Sequence, residues 1–96
     1  MPEAKGSVPG SHNEHHTVFY GLSTCIWCKR TRQFLEDLEV AFDYAYVDLL
    51  RGQEREEVLA VVRQWNPATS FPTIVVDDST CVVGYKKEEL KEVLGL

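Results

Sequence analysis

The sequence predicts one small α/β domain, a four-stranded mixed sheet flanked by three helices in the order β-α-β-α-β-β-α. Three observations carry that expectation. Short β-prone runs alternate with amphipathic helical segments through the first half of the chain, the pattern of a parallel β-α-β unit. Two further apolar runs follow with only turn-forming residues between them, which reads as an antiparallel hairpin on the same sheet. The chain has 96 residues, 44% of them hydrophobic, enough for one modest core and no second domain.

The first 16 residues carry Pro2, Gly6, Ser7, Pro9, Gly10 and Ser11, with Val8 the one bulky branched apolar residue. Such a segment is expected not to bury enough surface to offset its ordering entropy, so residues 1–16 read as a disordered tail ahead of a domain over 17–96. The run His12-Asn13-Glu14-His15-His16 within it reads as solvated rather than as a metal site. Residues 17–20 form a β-prone run closed by Gly21, and Ser23 and Thr24 are good N-caps for a helix that begins near Cys25. Thr31, Phe34, Leu35 and Leu38 recur at helical spacing and carry that helix to about Leu38. Phe42, Tyr44 and Tyr46 then alternate with smaller or polar residues, a strand that ends at Asp48.

After Gly52 a second helix is predicted over 53–65, with Val58, Val61, Val62 and Trp65 on one stripe and Asn66-Pro67 as its stop. Runs at 73–76 and 81–83 flank Asp77-Asp78-Ser79-Thr80 and read as the hairpin, its turn type left open. Gly84 ends the last strand. A third helix over 86–94, with Leu90, Val93 and Leu94 on one side, closes the chain.

Acidic side chains outnumber basic ones 15 to 10, for a net charge of -5, and no long Lys/Arg block is present; both argue against nucleic acid as a partner. No apolar run approaches the roughly 20 residues that span a bilayer, and the N-terminus lacks the apolar stretch of a secretory signal. A soluble, cytoplasmic protein without membrane contact is expected, acting as a monomer. Three cysteines are an odd number and too few to staple a small scaffold.

Two of those cysteines stand in Cys25-Ile26-Trp27-Cys28, where a redox couple, half of a metal site and plain packing are all to be weighed. One helical turn apart on one face, the two sulfurs are close enough for a disulfide. A helix N-terminus and the neighbouring Lys29 and Arg30 favour a thiolate on Cys25, making it the candidate nucleophile. Cys28, a turn deeper, would resolve a mixed disulfide by attacking Cys25. Tetrahedral zinc needs four ligands, and only Cys81 or the tail histidines remain to complete a set, so no metal is expected. Cys81 itself reads as a packing residue. Tyr44 and Tyr46 read as sheet packing, Trp65 as core, and Glu54-Arg55-Glu56-Glu57 as a solvated helix face.

From Thr17 to the end, the chain resembles the glutaredoxin family of the thioredoxin superfamily. The resemblance rests on Cys25-Ile26-Trp27-Cys28 after the first strand, Ser70-Phe71-Pro72-Thr73 before the third and Val83-Gly84-Tyr85 after the fourth. It implies a thioredoxin-like fold, thiol-disulfide oxidoreductase activity with Cys25 as nucleophile, and Pro72 in cis beside it. Trp27, Phe71, Pro72, Gly84 and Tyr85 would then line the substrate site, with the Phe71 backbone pairing with a substrate peptide. The implied role is a dithiol electron carrier to protein or low-molecular-weight disulfides; the alternative is an iron-sulfur cluster carrier, which the second cysteine disfavours.

Family members that use glutathione typically carry Lys or Arg three residues before the first cysteine and Gly-Gly-x-x-Asp after the last strand. This chain has Leu22 in the first place and Val83-Gly84-Tyr85-Lys86-Lys87 in the second. It thereby approaches the glutaredoxin-like redoxins that a flavin reductase reduces. No bound cofactor is expected, and the electron donor is a reductase or glutathione, the latter as a poor partner.

Overall fold

The computed structural model describes residues 3–96; Met1 and Pro2, the start of the expected tail, lie outside the described residues. Five strands form one sheet in the order β1-β3-β2-β4-β5: β1 Lys5–Val8, β2 Thr17–Gly21, β3 Phe42–Tyr46, β4 Thr73–Val76 and β5 Thr80–Val83. Helices α1 (Ile26–Asp37), α2 (Gly52–Trp65) and α3 (Lys87–Leu94) flank it. β2 and β3 run parallel, joined by α1, and the other three pairings between these strands are antiparallel. This is the thioredoxin-like arrangement, with one strand more than expected.

Over the described residues 3–16, the added strand departs from the reading of a disordered tail. Lys5 pairs with Ala45 and Val8 with Phe42 along the edge of β3, and Ser7 Oγ donates to Asp43 Oδ1 at 2.6 Å. Gly6 lies against the Tyr44 ring, where an added Cβ would stand 2.7 Å from Oη. Further on, His15 Nδ1 pairs with Asp77 Oδ2 at 2.6 Å and His16 Nε2 with Asp43 Oδ2 at 3.2 Å, so the histidines expected to be solvated tie the segment to the sheet. Composition misjudged the segment because backbone hydrogen bonds to an open strand edge, rather than its own apolar burial, hold it.

On one face of the sheet Phe19, Phe42, Ile74 and Val82 pack with Leu35 of α1 and Leu90 and Leu94 of α3 in a single core cluster. Phe19 meets Phe42 and Tyr46 edge-on, each with centroids 6.2 Å apart. α2 serves the opposite face, where Val58 shares a groove with Val18, Tyr20 and Ala45. Its stripe differs from the expected one. Val62 is fully buried and Val61 is 37% exposed, because residues three and four away from Val62 share its face whereas its immediate neighbour is turned by about 100°.

Local chemistry sets the remaining boundaries. β3 stops at Tyr46, two residues short of the expected end, because Val47–Leu49 turn into a 3-10 helix. In the hairpin, Asp77 (φ 55°) and Asp78 (φ 50°) are both left-handed and the Ser79 N–H donates to the Val76 carbonyl at 3.1 Å. That is the primed kind of turn, whose twist matches the strands and whose conformation Asp tolerates. α3 begins one residue after Lys86 and ends on Gly95 in the left-handed C-cap conformation.

Candidate active site

β2 and β3 end side by side, and the turn after β2 carries the two cysteines to the N-terminus of α1. Neither Ser23 nor Thr24 caps that helix. The cap is Cys25 itself, in extended conformation, whose Sγ accepts the Cys28 N–H at 3.2 Å. A sulfur in this place meets the helix N-terminus with an amide already aimed at it, an interaction that strengthens once the sulfur is charged.

Ser23 has a different task. Its N–H donates to Asp48 Oδ1 at 2.9 Å and its hydroxyl to Asp48 Oδ2 at 2.5 Å, so one carboxylate grips the turn two residues before Cys25. Burial alone would raise the Asp48 carboxyl, but the hydrogen bonds from Ser23, with help from nearby Arg51, outweigh it and hold the group below the usual carboxylate range. Arg51 Nη1 in turn donates to the Asp48 carbonyl at 3.1 Å. Local sequence patterns do not reveal this latch. Its one signal is the place of Asp48 just past the end of β3, the strand parallel to β2, where the carboxyl ends of parallel strands gather.

The two cysteines are free thiols in contrasting surroundings. Cys25 is partly exposed, whereas Cys28 is 1% exposed and belongs to the core cluster. Burial first, then the hydrogen bond with Cys25 and the charges of Cys25 and Asp48, push the Cys28 thiol up to about 12. The Leu22 N–H, donating to Cys28 Sγ at 3.5 Å, pulls the other way. Burial also raises Cys81, on β5 and away from this pair, with the Glu89 charge adding to it.

Beside the dithiol lies a groove of about 320 Å³, lined by Trp27, Phe71, Pro72, Gly84 and Tyr85, all five of the residues expected around the substrate. The Phe71-Pro72 peptide is cis. The carbonyl of Pro72 accepts the Gly84 N–H at 2.9 Å, which joins the two loops that form the groove floor. Gly84 has φ 89°, a conformation that side chains with a Cβ rarely adopt, and an added Cβ there would meet nothing within 4 Å. Trp27, 51% exposed, leans on Tyr85 with centroids 5.9 Å apart and carries the Arg30 guanidinium 5.0 Å above its ring.

A mixed sheet with a dithiol capping α1 and a cis-proline loop beside it defines a thioredoxin-like dithiol protein. The comparisons narrow the class. The family model for Glutaredoxin matches residues 17–81. The glutaredoxin from Methanosarcina mazei Go1 is 46% identical, with a TM-score of 0.92 over 98% of this chain and 90% of that one. Methanosarcina acetivorans methanoredoxin is 43% identical, with a TM-score of 0.85 and 88% of each chain covered. An uncharacterized glutaredoxin-like 8.6 kDa protein in the rubredoxin operon of Clostridium pasteurianum is 30% identical over 76 residues, 78% of this chain and 92% of that protein. The chain belongs to the glutaredoxin family.

Proposed function

We propose that this protein is a dithiol thiol-disulfide oxidoreductase, an electron carrier that reduces protein or low-molecular-weight disulfides in a reducing cytoplasm. The observation that carries the reading is the asymmetry of the pair: an accessible sulfur at a helix N-cap beside a groove, and a buried partner one turn away held protonated.

In this reading the Cys25 thiolate attacks one sulfur of the substrate disulfide; that S–S bond breaks, and the departing sulfur takes up a proton. Cys28 then gives up its proton and attacks Cys25 Sγ, which releases the second substrate thiol and leaves a Cys25–Cys28 disulfide. Two electrons pass to the substrate. The order of the steps is built into Cys28: two of the influences that raise it, the hydrogen bond and charge of Cys25, depend on a free Cys25 sulfur. Once Cys25 is bonded to substrate those two fall away, and Cys28 ionises more readily at the stage when it must attack.

The oxidised pair is returned to dithiol by a donor, a flavin-type reductase or glutathione. Turnover of a disulfide substrate with glutathione plus glutathione reductase, set beside turnover with a thioredoxin reductase, tests the reading. The expected result is efficient turnover with the reductase and weak turnover with glutathione. Failure of the dithiothreitol-reduced protein to reduce any disulfide refutes the proposal.

A further inference from the structure

The groove does not end at Tyr85. On the other side of that ring lies a second cavity of about 180 Å³, bounded by Arg30, Gln33, Phe34 and Asp37 of α1 and by Lys87 at the start of α3. Two cations face into one space there, each set over aromatic rings. The Arg30 guanidinium lies 5.0 Å from the Trp27 centroid, and Lys87 Nζ lies 5.7 Å from that of Phe34 and 5.6 Å from that of Tyr85. Rings in those positions hold a cation's head group in place without neutralising it.

Among the described residues, no carboxylate forms an ion pair with Arg30 or Lys87 within 4.0 Å. Asp37, which also lines the cavity, instead accepts a hydrogen bond from Gln33 Nε2 at 2.9 Å. Other surface cations are unpaired too; what sets these two apart is a shared cavity, aromatic support and continuity with the groove at the dithiol. In a chain whose net charge is -5, this leaves a local excess of positive charge beside the sulfur that would meet a substrate.

We propose that the double groove takes an extended acidic segment of a disulfide-bearing protein, with a carboxylate of that segment seated between Arg30 and Lys87. The proposal rests on the dithiol reading above and names its substrate class. The apolar half argues for a polypeptide. Ile26 is 56% exposed and Trp27 51%, giving apolar surface on the approach to Cys25. Among the described residues the Phe71 N–H and carbonyl make no backbone hydrogen bond, and so are open to the main chain of an extended partner. A substrate disulfide on Cys25, an apolar side chain on Trp27 and Tyr85, and an acid beyond Tyr85 occupy the groove in sequence.

Two disulfide-bonded peptides that differ only in Glu or Gln near the disulfide provide the test, with dithiothreitol-reduced protein consumed in a single turnover so that no electron donor enters. The Glu peptide should be reduced about tenfold faster at low salt, as expected of two partly exposed ion pairs. The advantage should shrink toward unity at 1 M salt, where the screening length falls to about 3 Å. Arg30→Gln with Lys87→Gln should abolish the difference between the peptides, and Arg30→Lys with Lys87→Arg should retain it. Equal rates for the two peptides in the unmodified protein overturn the inference while leaving the dithiol reading standing. Reduction of neither overturns both. A small acidic disulfide reduced faster than the Glu peptide overturns the assignment to a protein partner.

Discussion

Treating the reduced protein with iodoacetamide across pH 6 to 10 and locating the label by mass spectrometry separates the two sulfurs. Only a thiolate reacts, so each labelling rate follows the ionised fraction and the access of reagent. Cys28 is displaced from an ordinary 9.0 to about 12, chiefly by burial. Three pH units correspond to roughly a thousandfold smaller thiolate fraction, or about one molecule in ten thousand at pH 8. Its 1% exposure slows the reagent further. Of the pair, Cys25 should be labelled and Cys28 should lag far behind it, slower by about a thousandfold than an ordinary exposed thiol; any label on the partly exposed Cys81 is separated by its peptide mass. Comparable labelling of Cys28 at neutral pH would refute the assignment of buried resolving thiol. Stability should report the same displacement. Between pH 9.0 and about 12 the unfolded chain releases a proton that the folded chain retains. Stability present below that window is therefore lost as pH rises through it, by on the order of 1 kcal/mol per unit. Urea unfolding at alkaline pH should show a shallower loss for Cys28→Ser than for the unmodified protein.

Asp48→Asn removes one of the charges that raise Cys28, so Cys28 should alkylate at a lower pH in that variant; an unchanged labelling profile would count against the electrostatic role of Asp48. Asp48→Ala also leaves the Ser23 N–H and hydroxyl without their acceptor and should cost about 1–3 kcal/mol in denaturant unfolding, with slower reduction of substrate by Cys25. Lys87→Asp should raise catalytic efficiency in a glutathione-coupled assay by about tenfold, the scale of a charge-assisted hydrogen bond regained. Gly6→Val places a Cβ 2.7 Å from Tyr44 Oη and should destabilise the protein by about 1–3 kcal/mol; an unchanged melting temperature would show that β1 is not packed on Tyr44 in solution.

Elements whose identity lies in their own side chains are legible in the sequence. Thr31 and Leu35 at helical spacing mark α1 and are buried as that spacing requires, and the short apolar runs mark β2, closed by Gly21, β4, set between Pro72 and Asp77, and β5, followed by Gly84. The positions of Cys25, Cys28, Trp27, Pro72 and Tyr85 are equally legible, because each sits in a short motif whose neighbours decide its place. Long-range pairing is not. Lys5–Val8 become a strand through the open edge of β3, far along the chain as the Val8 to Phe42 and Lys5 to Ala45 pairs show, and nothing in the segment's own composition records that edge. The Ser23–Asp48 latch spans 25 residues, so Ser23 reads locally as a helix cap. Arg30 and Lys87 come from α1 and α3, and only the packing of Phe34 against Tyr85, at 6.3 Å between centroids, brings them to one cavity.

The division of labour between the two sulfurs is the central claim, and trapping the intermediate tests it most directly. Cys28→Ser, reduced and mixed with a disulfide substrate, should accumulate a one-to-one mixed disulfide on Cys25, seen as a single mass addition mapped to the peptide holding that residue, because the neighbouring thiol that would release it is gone. Cys25→Ser should form no adduct and reduce nothing. Turnover retained in Cys25→Ser, or an adduct on Cys81 in place of Cys25, would contradict the account.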